Sequence, residues 1–221
     1  MGKKQQPENL FAYYADSNRQ REVAAMLTTL GAQIFKSALI IKEIETIQKI
    51  NADLDSGALK VADSGIERFV FEHLVDSIRV LVFFENYMKA ELIVNDFCVH
   101  IIDTGIKEFN ELASFQKERP IKLREIQNIE PFEINKNNQT IYHRAIKRTT
   151  LPFSIITRKD YTPFYKFDNS VLEFIKELAL YRNKLHLNHT LNFSLSQERI
   201  EKFKALDKFV NCLFANHFQG S

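Results

Sequence analysis

Apolar residues recur at gaps of three and four between Arg19 and Asn51, at Val23, Leu27, Leu30, Ile34, Ala38, Ile41, Ile44 and Ile47, and this period predicts one long amphipathic helix. Ser17 stands where an N-cap belongs, and Asn51-Ala52-Asp53-Leu54-Asp55-Ser56-Gly57 reads as the stop. Met26, Leu39 and Ile50 widen the apolar face beyond a narrow seam, so core packing outweighs a coiled coil. A second helix is predicted from Asp63-Ser64 to Val94, apolar at Ile66, Phe69, Val70, Leu74, Ile78, Leu81, Val82, Tyr87, Met88 and Leu92. Phe71, Phe83 and Phe84 fall elsewhere around it, which points to a second covered flank and to dimerisation. After Asn95-Asp96, helical spacing at Ile101, Ile102, Ile106, Phe109 and Leu112 predicts a third helix over Phe97 to Leu112.

The period fades between Gln116 and Phe167, where Pro120, Pro131, Pro152 and Pro163 fall. An irregular insertion over 116–167 is expected within a single helical domain of 1–221, with a short hairpin near Phe153 to Ile156 and Tyr161 to Phe167. Regular spacing returns at Val171, Leu172, Phe174, Ile175, Leu178 and Leu185, behind a cap at Asp168 or Asn169. Ser196 heads a last helix through Ile200, Phe203, Leu206, Phe209, Val210 and Leu213. The fold class is therefore all-α, an antiparallel helical bundle with a long N-terminal helix.

Composition supports this picture and narrows the function. Few glycines and prolines, with 19 Phe and no Trp, suit long helices better than many short strands. A net charge of +2 excludes bulk electrostatic attraction to nucleic acid or membrane, so any such contact needs a local patch. Cys98 and Cys212 lack metal-ligand spacing and read as reduced core thiols of a cytoplasmic protein. The polar stretch Met1 to Pro7 has no secretory apolar run, and charges interrupt every apolar window short of a membrane span. No Gly-rich phosphate loop, serine nucleophile elbow or clustered metal ligands occur, so nothing local favours a nucleotide hydrolase, a serine hydrolase or a metalloenzyme.

Chemistry concentrates in Glu177 to His189, where Arg182, His186 and His189 lie within eight residues. In a continuous helix, Arg182 and His189 are about 700° apart and fall within about 20° of each other around the axis. A guanidinium and an imidazole there, beside the Asn183 amide, suit a phosphate and its proton transfers. Arg68 and His73, with four residues between them, serve as a control: their side chains diverge by about 140° and cannot share a substrate. The bland alternative is that Arg and His near a helix end merely satisfy its last carbonyls and dipole. The densest basic run holds His143, Arg144, Lys147 and Arg148, then Arg158 and Lys159, with Tyr142, Phe153 and Tyr161 nearby as stacking candidates. A solvated loop is the simpler use of those charges. Arg144, Lys147, Arg148 and Lys184 are nonetheless the candidate RNA contacts, while His73 and His100 read as hydrogen-bonded core histidines within helices.

Arg182-Asn183, with six intervening positions before His189, is similar to the signature of the HEPN superfamily (higher eukaryotes and prokaryotes nucleotide-binding domains), an arginine and a histidine separated by four to six residues. The earlier stretch Phe84-Glu85-Asn86-Tyr87-Met88-Lys89-Ala90-Glu91-Leu92 resembles an early helix of that family, whereas His186, only three positions on, lies outside the pattern. The resemblance implies a helical bundle acting as a homodimer that cleaves RNA in a composite cleft, without metal or cofactor. It makes His189 the general base or acid, Arg182 the binder of the scissile phosphate, Asn183 an orienting group and His186 an assistant. It also implies a toxin or phage-defence effector silenced by an antitoxin protein. A non-catalytic helical interaction module and a nucleotide-binding sensor are the alternatives.

Overall fold

The structure, a computed structural model, describes residues 17–135, 140–185 and 196–218. It is mostly helical, as the spacing of apolar residues predicts. The chain divides into two compact units, one of residues 1–28 and 86–166 and the other of 29–85 and 167–221.

The second unit holds α8 (Asn169–Leu185), α9 (Gln197–Phe218) and most of α4 (Ile66–Val94) among the long helices. α1 (Ser17–Lys36) ends in it, and α2 (Leu39–Lys42) and α3 (Ile44–Asp55) follow. The single helix expected over Arg19 to Asn51 is therefore broken twice. Ala38 adopts an extended conformation (φ −62°, ψ 132°), which frees the amides that open α2. Asp76 then accepts the Leu39 and Ile40 N–H groups at 3.0 and 2.8 Å and pairs with Arg79 at 2.8 Å. It lies on α4 (Ile66–Val94), so the cap comes from a distant part of the chain. The second break, at Glu43, sits beside an ion pair from Glu43 to Arg68 at 2.5 Å.

Phe83 and Phe84 are fully buried in this unit, which corrects their reading as a dimerisation surface. Phe83 packs on Phe35 at 5.5 Å between ring centroids, and Phe84 on Phe167 and Phe209 at 5.9 Å each. α8 (Asn169–Leu185) and α9 (Gln197–Phe218) complete the unit, joined by the edge contact of Phe174 with Phe203 at 5.0 Å.

The first unit overturns the third predicted helix. Asp96 takes a left-handed conformation (φ 63°) just past α4; its N–H reaches the Ile93 carbonyl at 3.0 Å and the Phe97 N–H reaches that of Leu92 at 2.9 Å, a Schellman stop. Phe97 then bridges to Lys122, and β1 (His100–Ile102) follows, paired antiparallel with β4 (Ile146–Thr150). Helix resumes in a 3-10 turn, Lys107–Phe109, that runs into α5 (Asn110–Phe115), and again in α6 (Leu123–Gln127). A strand pair does occur in the expected insertion, but as β2 (Glu133–Asn135) against β3 (Thr140–Tyr142). The predicted hairpin segment instead forms α7 (Phe153–Ile156) and a 3-10 turn, Thr162–Phe164. Phe109, Ile121, Ile126 and Ala145 lie at the centre of the unit's core.

Two buried groups pin β1. The Val99 carbonyl and the Asp103 N–H bond across to Leu151 and Ala145, so backbone alternation turns the His100 carbonyl and the Ile102 N–H to the other edge. Gln116 meets both: its amide donates to His100 at 2.7 Å and accepts from Ile102 at 2.9 Å. His100 is a buried, hydrogen-bonded histidine as predicted, but in a strand. Its Nδ1 lies 3.2 and 3.1 Å from the Lys147 and Arg148 carbonyls, which assigns the proton to that nitrogen. Burial pushes its pKa down to about 4. Because the folded value lies below the unfolded one, stability is complete above pH 6.5 and falls as pH drops toward 4. The expected loss is about 3 kcal/mol, read as a shift in the urea midpoint between pH 7 and pH 4. His100→Gln should flatten that profile; an identical slope in the variant would refute the assignment.

Candidate functional site

α8 begins where Asp168 accepts the Val171 N–H at 3.0 Å and the Ser170 hydroxyl at 2.6 Å. These bonds, the hydroxyl's first, hold the Asp168 carboxyl below its ordinary range, and the cap agrees with the sequence expectation. Val171, Phe174, Ile175 and Leu178 are buried along one face. One turn on, Arg182 lies about 40° from Leu178 around the axis, on the azimuth of that apolar seam. It is half-buried, and among the described residues no carboxylate pairs with it. A cation at a core-facing azimuth, with no counter-ion among the described residues, is the feature of α8 that packing does not explain.

Asn183 and Lys184 belong to the last turn of α8. His186 and His189 lie outside the described residues. The candidate constellation is therefore represented structurally by Arg182 and by the helix that carries it.

A feature that the sequence reading missed lies on another face of α8. Glu177, on α8, takes Arg199 Nη1 on one carboxylate oxygen at 2.5 Å and Lys202 Nζ on the other at 3.7 Å. Arg199 is buried, its guanidinium 5.6 Å from the Phe174 ring centroid, and its backbone N–H reaches the capping hydroxyl of Ser196 at 3.3 Å. No local pattern announces such a pair, since 22 residues separate its members.

The weaker candidates fall in the other unit. Arg144 spans the Glu130 carboxylate at 2.8 and 3.1 Å, and Lys147 pairs with Asp103 at 3.2 Å, while Arg148 is exposed on β4. His143 is buried between the Phe109 and Phe132 rings, where desolvation lowers its pKa, so it adds no charge to this run near neutral pH. Tyr161 and Phe153 are buried too, and the Tyr161 hydroxyl donates to the Gln116 carbonyl at 2.6 Å; neither ring is available to stack on a base. Arg158 donates to the Lys117 carbonyl.

Cys98 is a core thiol as expected, its pKa pushed up to about 12 by burial, but Cys212 is exposed. It lines a groove of about 540 Å³ with Ile44, Glu45, Lys204, Asp207 and Asn211. The groove's charges are largely engaged. Asp207 pairs with Lys36, and Lys204 bonds the Gln48 amide and lies 3.6 Å from Glu45. Among the described residues no three His, Cys, Asp or Glu side chains gather as metal ligands, and no helix is long and apolar enough to cross a membrane.

No protein-family model matches the chain, and neither a curated protein nor a solved structure matches it. Arg182 and its surroundings carry the functional reading on their own.

Proposed function

We propose that the chain is a metal-independent endoribonuclease of the HEPN type, acting as a homodimer whose two protomers share one cleft. What supports this assignment is Arg182, held on the apolar azimuth of α8 with no carboxylate partner among the described residues. RNA supplies its own nucleophile, so the protein has only to move two protons and stabilise charge on phosphorus. His189 takes the proton of the 2′-hydroxyl, whose oxygen attacks the adjacent phosphorus. The P–O5′ bond breaks, and the partner's His189 gives its proton to the departing oxygen. Arg182 spans two non-bridging oxygens with its guanidinium fork as negative charge grows on them. Asn183 orients the imidazole, and His186 assists. The products are a 2′,3′-cyclic phosphate and a 5′-hydroxyl. Such an effector suits a toxin or phage-defence role under the control of an antitoxin protein.

The test is incubation of the purified chain with end-labelled RNA in EDTA. Cleavage to 2′,3′-cyclic phosphate ends is the expected result, whereas 3′-hydroxyl ends or a need for divalent metal would rule the mechanism out. A second reading, a non-catalytic helical interaction module, draws on apolar side chains left in water at Val75 and Ile78 on α4 and Leu180 on α8. It predicts intact RNA under every condition.

A further inference from the structure

We propose that the free edge of β4 is a docking edge for an extended, acidic segment of a partner protein, which adds there as a third strand. The sheet of β1 and β4 has two edges, and the fold treats them differently. Gln116 occupies that of β1 at the His100 carbonyl and the Ile102 N–H, so no chain can add on that side without displacing it. Among the described residues β4 has no such cover.

The register decides which backbone groups β4 presents. Thr150 lies opposite His100, and the next N–H, that of Leu151, bonds across to the Val99 carbonyl at 2.8 Å. Alternation along an antiparallel pair then turns the N–H and the carbonyl of Thr150 away from β1, as it turns those of His100 the other way. Among the described residues nothing takes either group of Thr150. One residue of an incoming strand can satisfy both. Lys147, Arg148, Thr149 and Thr150 are all exposed, so a partner has access to most of the strand.

Charge selects the occupant. Lys147 and Arg148 stand on β4 itself, and Lys89 of α4 reaches the Thr150 hydroxyl at 2.8 Å. Lys147 pairs with Asp103 at 3.2 Å, but both side chains are well hydrated and such a pair contributes little. A second copy laid antiparallel along β4 would set these cations against their own likes, which destabilises a strand pair. Carboxylates on the incoming strand meet them instead. RNA is the weaker occupant, because the rings of Phe153 and Tyr161 are buried and leave no platform for bases. Basic side chains on an edge can also serve only to keep other strands away. A merely protective edge binds no peptide at all.

The test titrates the full chain into a fluorescein-labelled peptide of about eight residues, Glu alternating with Val, and follows anisotropy. Saturable binding that weakens with salt is expected, and a lysine counterpart of the peptide should not bind. The acidic peptide N-methylated at every backbone amide keeps its charge but cannot pair as a strand, so its affinity should be lower by at least about tenfold. That arm needs no variant to fold. Arg148→Glu and Thr150→Pro should each weaken binding by about tenfold at an unchanged thermal midpoint, since proline is tolerated where an edge N–H faces outward. Absence of saturable binding overturns the proposal, and so does binding that survives N-methylation or both substitutions. Tighter binding of a 2′-deoxy oligonucleotide, abolished by Arg148→Glu, would hand the edge to nucleic acid and overturn it too. Self-association that Thr150→Pro removes would hand it to a second copy, with the same consequence.

Discussion

Arg182→Ala is expected to reduce RNA cleavage by about 10²–10³-fold, the cost of removing one well-placed donor from a developing oxyanion. Arg182→Lys should fall between wild type and alanine, because an ammonium keeps the charge but cannot span two phosphate oxygens. The informative variant is Arg182→Met. Arg182 sits on the apolar azimuth of α8 and, among the described residues, serves no ion pair, so methionine should leave the thermal midpoint unchanged or raise it while abolishing activity. A structural arginine would behave the other way round, losing stability in step with activity. Binding of uncleavable 2′-deoxy RNA should also lose salt sensitivity by roughly one phosphate contact. Activity that survives in Arg182→Met would exclude Arg182 from the reaction.

Asp76→Ala is expected to destabilise the protein by about 2–4 kcal/mol, at roughly 1–3 kcal/mol for a buried amide left without an acceptor. The carboxylate is 1% exposed and carries three partners: two backbone N–H groups that open α2, and the Arg79 guanidinium. Truncation strands the buried Ile40 amide and takes the acceptor from that of half-buried Leu39. Asp76→Asn keeps one acceptor oxygen but gives up the charge, and should cost less than alanine. Urea unfolding measures both, and a loss under about 1 kcal/mol for alanine would mean that the α1–α2 break closes into continuous helix once its cap is gone.

The same residue explains how far the sequence could be read. α4, α8 and α9 were legible because an unbroken period runs between local signals, such as Asp168 and Ser196 acting on amides three residues ahead. The break at Ala38 was not, since its acceptor lies 36 and 37 residues away on another helix and the apolar period continues straight through it. Phe97 to Ile102 misled for a related reason. A short apolar run fits strand and helix equally, and what decides it is pairing with Ile146–Thr150, far along the chain. The site divides in the same way. Arg182 stood out by motif and by its place on the helix, and nothing local marked Cys212 as exposed or tied Glu177 to Arg199. Phe83 and Phe84 looked like surplus apolar surface because Phe35, Phe167 and Phe209, which cover them, are scattered along the sequence.

The amide of Gln116 does more than steady one short strand. Open strand edges invite foreign chains to add on, and proteins commonly blunt them with charge, proline or a covering loop. Here a single side chain copies the donor and acceptor pattern of a neighbouring backbone and fills the outer rim of β1 at His100 and Ile102. An incoming peptide would have to displace both bonds before it could extend the sheet there, so the strand is protected from runaway intermolecular pairing by one residue of the turn that follows α5.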